Sequence, residues 1–212
     1  WDLTTNTVIT PTDLPTVDPD GNKLSEEYVR FIHISSDGRH IVGQVLGVHY
    51  FTFVYDRESE NERKWNFIGY TTTDGKRFTK TNSSVVEISP VGMSANGKWL
   101  ALDARISALG DEFACASRYD IEKGELTIYA STVDDMDIKA ACVDNDGNIY
   151  GCVPAYNPIR EFLVRCDGYW FSLKDILEQH YGMDFQLATG YTNTGTPLAV
   201  SSDGKTFISF SN

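Results

Sequence analysis

The side chains of this 212-residue chain that could do chemistry are four histidines, four cysteines and thirty acids. His33 and His40 flank the stretch Ser35-Ser36-Asp37-Gly38, while His49 and His180 stand apart. None falls in His-x-x-x-His or His-Glu-x-x-His spacing, which would turn two imidazoles to one helix face as zinc ligands. They read as strand histidines satisfied by their neighbours. Cys115, Cys142, Cys152 and Cys166 allow three disulfide connectivities, but no Cys-x-x-Cys pair exists for a zinc ribbon or redox site. A two-residue turn at Asp146-Gly147 puts Cys142 opposite Gly151 and Cys152 on the other face, where no disulfide can reach. Buried thiols acting as small hydrophobes are the expected state.

Asp18-Pro19-Asp20-Gly21-Asn22 and Asp144-Asn145-Asp146-Gly147-Asn148 carry acids two apart, as calcium loops do. In such loops glycine stands at position 6 and a bidentate Glu at position 12, whereas here glycine directly follows the second acid. Both read as turns. No Gly-x-Ser-x-Gly elbow and no phosphate-cradling glycine loop occurs. No metal and no cofactor is expected, and catalytic residues: none.

The elements that must hold these residues are set by composition and repetition. Eighteen basic against thirty acidic residues give a net charge of −12, which excludes a nucleic-acid or anionic-membrane surface. A hydrophobic fraction of 41% and an aromatic fraction of 12% exclude disorder. No run approaches the roughly 18 apolar residues of a membrane helix. The chain opens on Trp1 with no basic or apolar leader, and reads as a processed chain or a piece of a longer protein.

Four segments share one pattern: apolar strand, Ser/Asp-x-Asp/Asn-Gly turn, polar residue, apolar strand. They begin at Phe31, Val91, Ala141 and Leu198, and their turn glycines Gly38, Gly97, Gly147 and Gly204 are spaced by 59, 50 and 57 residues. Asp-Gly and Asn-Gly supply the positive φ that tight hairpins need. A second hairpin follows in three units, joined at Tyr55-Asp56, Tyr119-Asp120 and Cys166-Asp167. Trp1-Asp2-Leu3 to Val8-Ile9 matches Tyr119-Asp120-Ile121 to Leu126-Thr127-Ile128, so one unit is split between the termini.

Four-stranded antiparallel units at this period are the signature of propeller blades. Through Ser35-Ser36-Asp37-Gly38, Ser94-Ala95-Asn96-Gly97 and Ser201-Ser202-Asp203-Gly204 the chain resembles bacterial β-propeller repeat proteins of the WD40-like and TolB-like kind. Asp144 departs from that pattern at the first turn position. The resemblance implies an all-β, β-propeller-like fold of about four blades of four antiparallel strands, with a split blade shared by the termini; the alternative is an arc of a larger propeller. The repeat units are 28–72, 86–131, 137–187, and 198–212 plus 1–10, in one domain or fragment covering 1–212. Ser201–Phe207 also resembles the Asp-box of sialidase-type propellers, one residue short between Asp and Gly. One segment, 172–182, reads as a short helix: Ser172 caps it, Asp175 completes a capping box, and Gly182 ends it.

In propellers the loops joining second to third strands, and blade to blade, share the face opposite the Asp-Gly turns. Here they are Leu46–Val48, Ala104–Asp111 and Pro154–Arg160, with Tyr70–Ser89, Ser131–Ile138 and Met183–Pro197 between units. Arg105, Tyr156, Arg160 and Tyr191 are the candidate ligand-binding residues, since arginine is conspicuous on an acidic chain and tyrosine suits protein or glycan contacts. The expected function is a non-catalytic, exported binding module, periplasmic or at the cell surface, and lipid-anchored, if at all, through a segment not in this chain. The alternative is an accessory propeller of a larger peptidase or glycosidase.

Overall fold

The computed structural model describes residues 6, 8, 14–18, 22–24, 29–46, 50–61, 64–68, 79–80, 83–108, 111–129, 138–153, 161–166, 169–182 and 199–208. The chain is all-β and propeller-like, and its described residues form four antiparallel sheets in sequence order. The first holds β1 (Arg30–Ile34), β2 (His40–Leu46), β3 (Tyr50–Asp56) and β4 (Trp65–Phe67). The second holds β5 (Thr79–Lys80), β6 (Ser83–Met93), β7 (Trp99–Ala108), β8 (Asp111–Asp120) and β9 (Glu125–Ile128). The third holds β10 (Lys139–Val143), β11 (Ile149–Val153), β12 (Glu161–Cys166) and β13 (Tyr169–Ser172). After the helix α1 (Leu173–Tyr181) comes a two-stranded sheet of β14 (Ala199–Val200) and β15 (Phe207–Ile208). Each sheet is a meander in which neighbours in space are neighbours in sequence. The split unit proposed for 1–10 lies outside the described residues, apart from Asn6 and Val8.

The repeated turns fold as their residues dictate. Gly38, Gly97, Gly147 and Gly204 have φ of +72°, +69°, +84° and +68°. In the serine copies the hydroxyl does two jobs. Ser94 Oγ donates to Asn96 Oδ1 (2.7 Å) and accepts from the Trp99 N–H (3.0 Å). Ser201 repeats this with Asp203 (2.6 Å) and the Thr206 N–H (2.9 Å), and Ser35 with Asp37 and His40. In the third copy the Asp144 carboxylate replaces the hydroxyl and accepts from the N–H groups of Asp146 (3.0 Å) and Asn148 (2.9 Å).

That copy corrects the two-residue turn expected from the sequence. Val143 pairs with Ile149, so five residues make the turn, and a bulge at Ala141 places Cys142 opposite Tyr150 and not Gly151. Cys115, Cys142 and Cys152 are buried free thiols. Burial pushes Cys142 up to about 12 and raises Cys152 as well.

The turns stack along one end of the molecule. Ser36 Oγ donates to the Ala95 carbonyl. The Asn96 N–H donates to Asn145 Oδ1 (2.9 Å) and Asn96 Nδ2 to the Asn145 carbonyl (3.1 Å). The Asn145 N–H continues to the Ser202 carbonyl (3.0 Å). Close approach makes glycine obligatory at one of these turns on two counts: a Cβ on Gly97 would stand 2.6 Å from that of Ser35.

Between turns and loops, the sheets bury apolar faces against each other. Val42, Val54 and Ile68 of the first sheet meet Ile88, Leu100, Leu102, Ala104 and Tyr119 of the second. Ala101 and Ala116 of the second meet Ile138, Ala140, Val143 and Ile149 beside and within the third. A third cluster, on the other face of the first sheet, gathers Val45, Phe51, Phe53, Tyr55, Trp65 and Phe67. Fully burying each such side chain contributes about 1.5–3 kcal/mol. The helix forms as the sequence predicts: the Asp175 N–H bonds Ser172 Oγ (3.3 Å), and Gly182 closes it at φ +63°. Leu177 is buried and the helix packs against β12 and β13 of the third sheet, while Phe171 and Tyr181 are exposed.

Candidate functional site

Arg105 is the candidate residue that the structure describes, and its position departs from expectation. It lies within β7, not in a loop, because β7 and β8 pair continuously from Trp99↔Asp120 to Ala108↔Asp111. The stretch 104–111 is therefore strand through Ala108 and again from Asp111. Likewise the segment 70–89 is not all connection: β5 and the start of β6 fall inside it. Tyr156, Arg160 and Tyr191 lie outside the described residues, as do most of the remaining inter-strand loops.

Arg105 stands opposite Glu87 on β6 and Ala114 on β8. Its Nη1 is 3.9 Å from Glu87 Oε2, and the two side chains are 54% and 29% exposed. A solvent-facing pair at that distance contributes well under about 1 kcal/mol to stability. What the geometry offers is a guanidinium and a carboxylate side by side on a rigid sheet, remote from the stacked turns. Beyond Arg105 the strands continue. Counting from the turns, Leu46, the last residue of β2, corresponds to Arg105, yet β7 runs three residues further to Ala108.

Two residues nearer the turn sits Asp103, which the sequence reading passed over. Its Oδ1 accepts the Ala140 N–H at 2.7 Å, reaching from the second sheet to the bulged strand of the third. Burial pushes its carboxyl up to about 6, opposed by that hydrogen bond and by the Lys139 charge. The signal available was a lone acid inside the apolar strand Trp99-Leu100-Ala101-Leu102-Asp103-Ala104. Gln44 holds the same position in the first sheet and also bonds across, to the Ile88 carbonyl (3.4 Å). β1, β6 and β10 are each bulged three residues before their turn, at Ile32, Val91 and Ala141. Side chains of the preceding sheet bond backbone groups along two of these strands, the Ala140 N–H of β10 and the Ile88 carbonyl of β6. His33 bonds the Val91 backbone in the same manner, and burial holds its imidazole below the usual range.

On the turn end, Arg39 forks onto Asp56 (Nε to Oδ1 3.0 Å, Nη2 to Oδ2 2.9 Å), which holds Asp56 below the usual carboxylate range. Arg118 donates to the Gly147 carbonyl (2.8 Å) while stacked 4.5 Å over Trp99. The acidic loops that resemble calcium sites spend their oxygens on themselves: Asp18 accepts from the Asn22 N–H (2.8 Å) and Nδ2 (2.9 Å), and Asp144 closes its own turn. Among the described residues no group of three or more His, Cys, Asp or Glu side chains is placed to hold a metal ion. No described helix is long and apolar enough to cross a membrane.

No family model matches the sequence, and no curated protein matches it. Among solved structures, that of a protein assigned as TolB from Agrobacterium tumefaciens is similar at 12% identity and a TM-score of 0.36, over 87% of this chain and 70% of that one.

Proposed function

We propose that the protein is a non-catalytic, exported binding module whose partner, a protein or a glycan, is held at the end of the sheets opposite the stacked turns. The observation that supports this is the second sheet. β7 and β8 stay paired three residues past the point at which the β2–β3 pairing ends, and the Arg105–Glu87 pair sits where the extension begins. Three extra residues at ~3.3 Å each carry backbone about 10 Å outward. The turn end, in contrast, uses its polar groups to bond turn to turn. Export rests on the resemblance noted in the sequence.

The test is a glycan array and a pull-down from the source organism, repeated with Arg105→Ala and Glu87→Gln. Loss of a specific partner by both variants, with turn-end variants unaffected, is the expected result. Turnover of a peptide or glycoside library by the purified chain, abolished by one carboxylate substitution, would overturn it in favour of a catalytic protein.

A further inference from the structure

Each joint between sheets is built from the same strand positions. Val29, Ile88 and Ile138 each stand six residues before the first residue of their turn. Ile41, Leu100 and Ile149 each pair with the residue just before the turn, Ile34, Met93 and Val143, and Tyr55 and Tyr119 pair in turn with Ile41 and Leu100. In the second sheet Ile88, Leu100 and Tyr119 are covered by the first sheet. In the third, Ile138 and Ile149 are covered by the second. In the first sheet Val29, Ile41 and Tyr55 belong to a cluster whose cover, among the described residues, is Leu14 and Leu24.

Those leucines come from residues 14–24, whose described parts form a small closed hairpin. Val17 bridges Lys23, the Leu24 N–H donates to the Thr16 carbonyl (2.8 Å), and the Asp18 N–H to the Asn22 carbonyl (2.8 Å). Leu24 is 4% exposed and Pro15 is among the fully buried side chains, so the hairpin is seated on the sheet. It is smaller than a blade. Phe31 and Ile34, on the inner strand of the same face, remain 49% and 61% exposed. Their third-sheet equivalents Ala140 and Val143 are 6% and 4% exposed beneath a true neighbouring sheet.

We infer that residues 14–24 are a capping strap, seated where a preceding blade would sit, and that the face beneath it accepts the last sheet of a second copy of this chain once the strap is lifted. The occupant follows from the repeat. The face that each sheet turns to its successor carries Val42 in the first sheet and Ala101 in the second, and the same count from the turn reaches Ile208 in the fourth. A head-to-tail contact of this kind is heterologous and propagates unless it is capped, which is why terminal repeats of arrays carry distinct covers.

Leu24→Asp in the full chain tests this by light scattering over a concentration series, with circular dichroism reporting the fold. The expected result is a monomeric parent, a variant that keeps its β spectrum while its mass rises two-fold or more with concentration, and return to monomer on adding excess peptide of residues 11–26. A folded variant that stays monomeric, a parent already associated, or association the peptide does not reverse would each overturn the proposal. Should Leu24→Asp unfold, hydrogen exchange on the parent decides. Amides of Asp18 and Leu24 opening before, and exposing, those of β3 and β4 support the strap, and exchange of all of them only by global unfolding refutes it.

Discussion

Asp103 and Ala140 are tied across the joint between the second and third sheets, the Ala140 N–H donating to Asp103 Oδ1 at 2.7 Å. A backbone group beside the bulge at Ala141 is thereby paired by a carboxylate that burial makes reluctant to ionise. The same contact both positions the third sheet beside the second and makes the joint sensitive to protonation.

The sign of that sensitivity is set by Asp103, whose folded pKa of about 6 lies above the unfolded value of about 3.9. Its contribution to stability is complete below about pH 4 and is lost as pH rises through about 6. Asp103→Asn keeps an acceptor for Ala140 without the buried charge. The variant is expected to gain on the order of 1–2 kcal/mol at pH 7 and nothing at pH 4. Urea unfolding at both values checks it, and an equal effect at both would refute the assignment.

Gly97→Ala and Gly182→Ala separate backbone strain from crowding. Both glycines have positive φ, +69° and +63°, but a Cβ at 97 meets Ser35 at 2.6 Å while one at 182 meets nothing within 4 Å. The helix-cap change is expected to cost about 1–2 kcal/mol from the left-handed backbone alone. The turn change costs more, since the neighbouring turn must also move. Thermal melts of the two variants side by side give the order.

Arg118→Lys is not a conservative change. It removes the flat guanidinium that stacks on Trp99 at 4.5 Å while donating to the Gly147 carbonyl. Loss of stacking plus one hydrogen bond is expected to cost about 1–2 kcal/mol, measured by denaturant unfolding.

Arg105→Ala is expected to leave stability within about 0.5 kcal/mol, because its pair with Glu87 is long and solvent-facing. Partner binding, in contrast, should weaken by about 1 kcal/mol or more if Arg105 anchors it. Lys98→Ala, at the turn end beside Glu122, serves as the control that leaves binding unchanged. A binding loss equal in both would remove the loop-end assignment.

Cys142 and Cys152 should resist thiol reagents in the native state, since burial raises both and the thiolate is the reactive form. A colorimetric thiol assay is expected to register them only under denaturant.

The sequence by itself determined the four glycine turns, the strand pairs on either side of them and the capped helix after Ser172. Each of these depends on residues a few positions apart: a glycine with positive φ, a serine or aspartate closing its own turn, alternating apolar side chains. It did not disclose that β7 continues through Ala108, that β1, β6 and β10 are bulged, or that the third turn takes five residues. Those outcomes depend on what lies across the sheet. Arg105 became a strand residue because Glu87 and Ala114 pair with its backbone, and Asp103 stood out among thirty acids because Ala140, 37 residues later, packs against it. Which apolar face meets a blade and which meets Leu14 and Leu24 was likewise decided only in three dimensions, because burial is a property of neighbours distant in the chain and local pattern is blind to them.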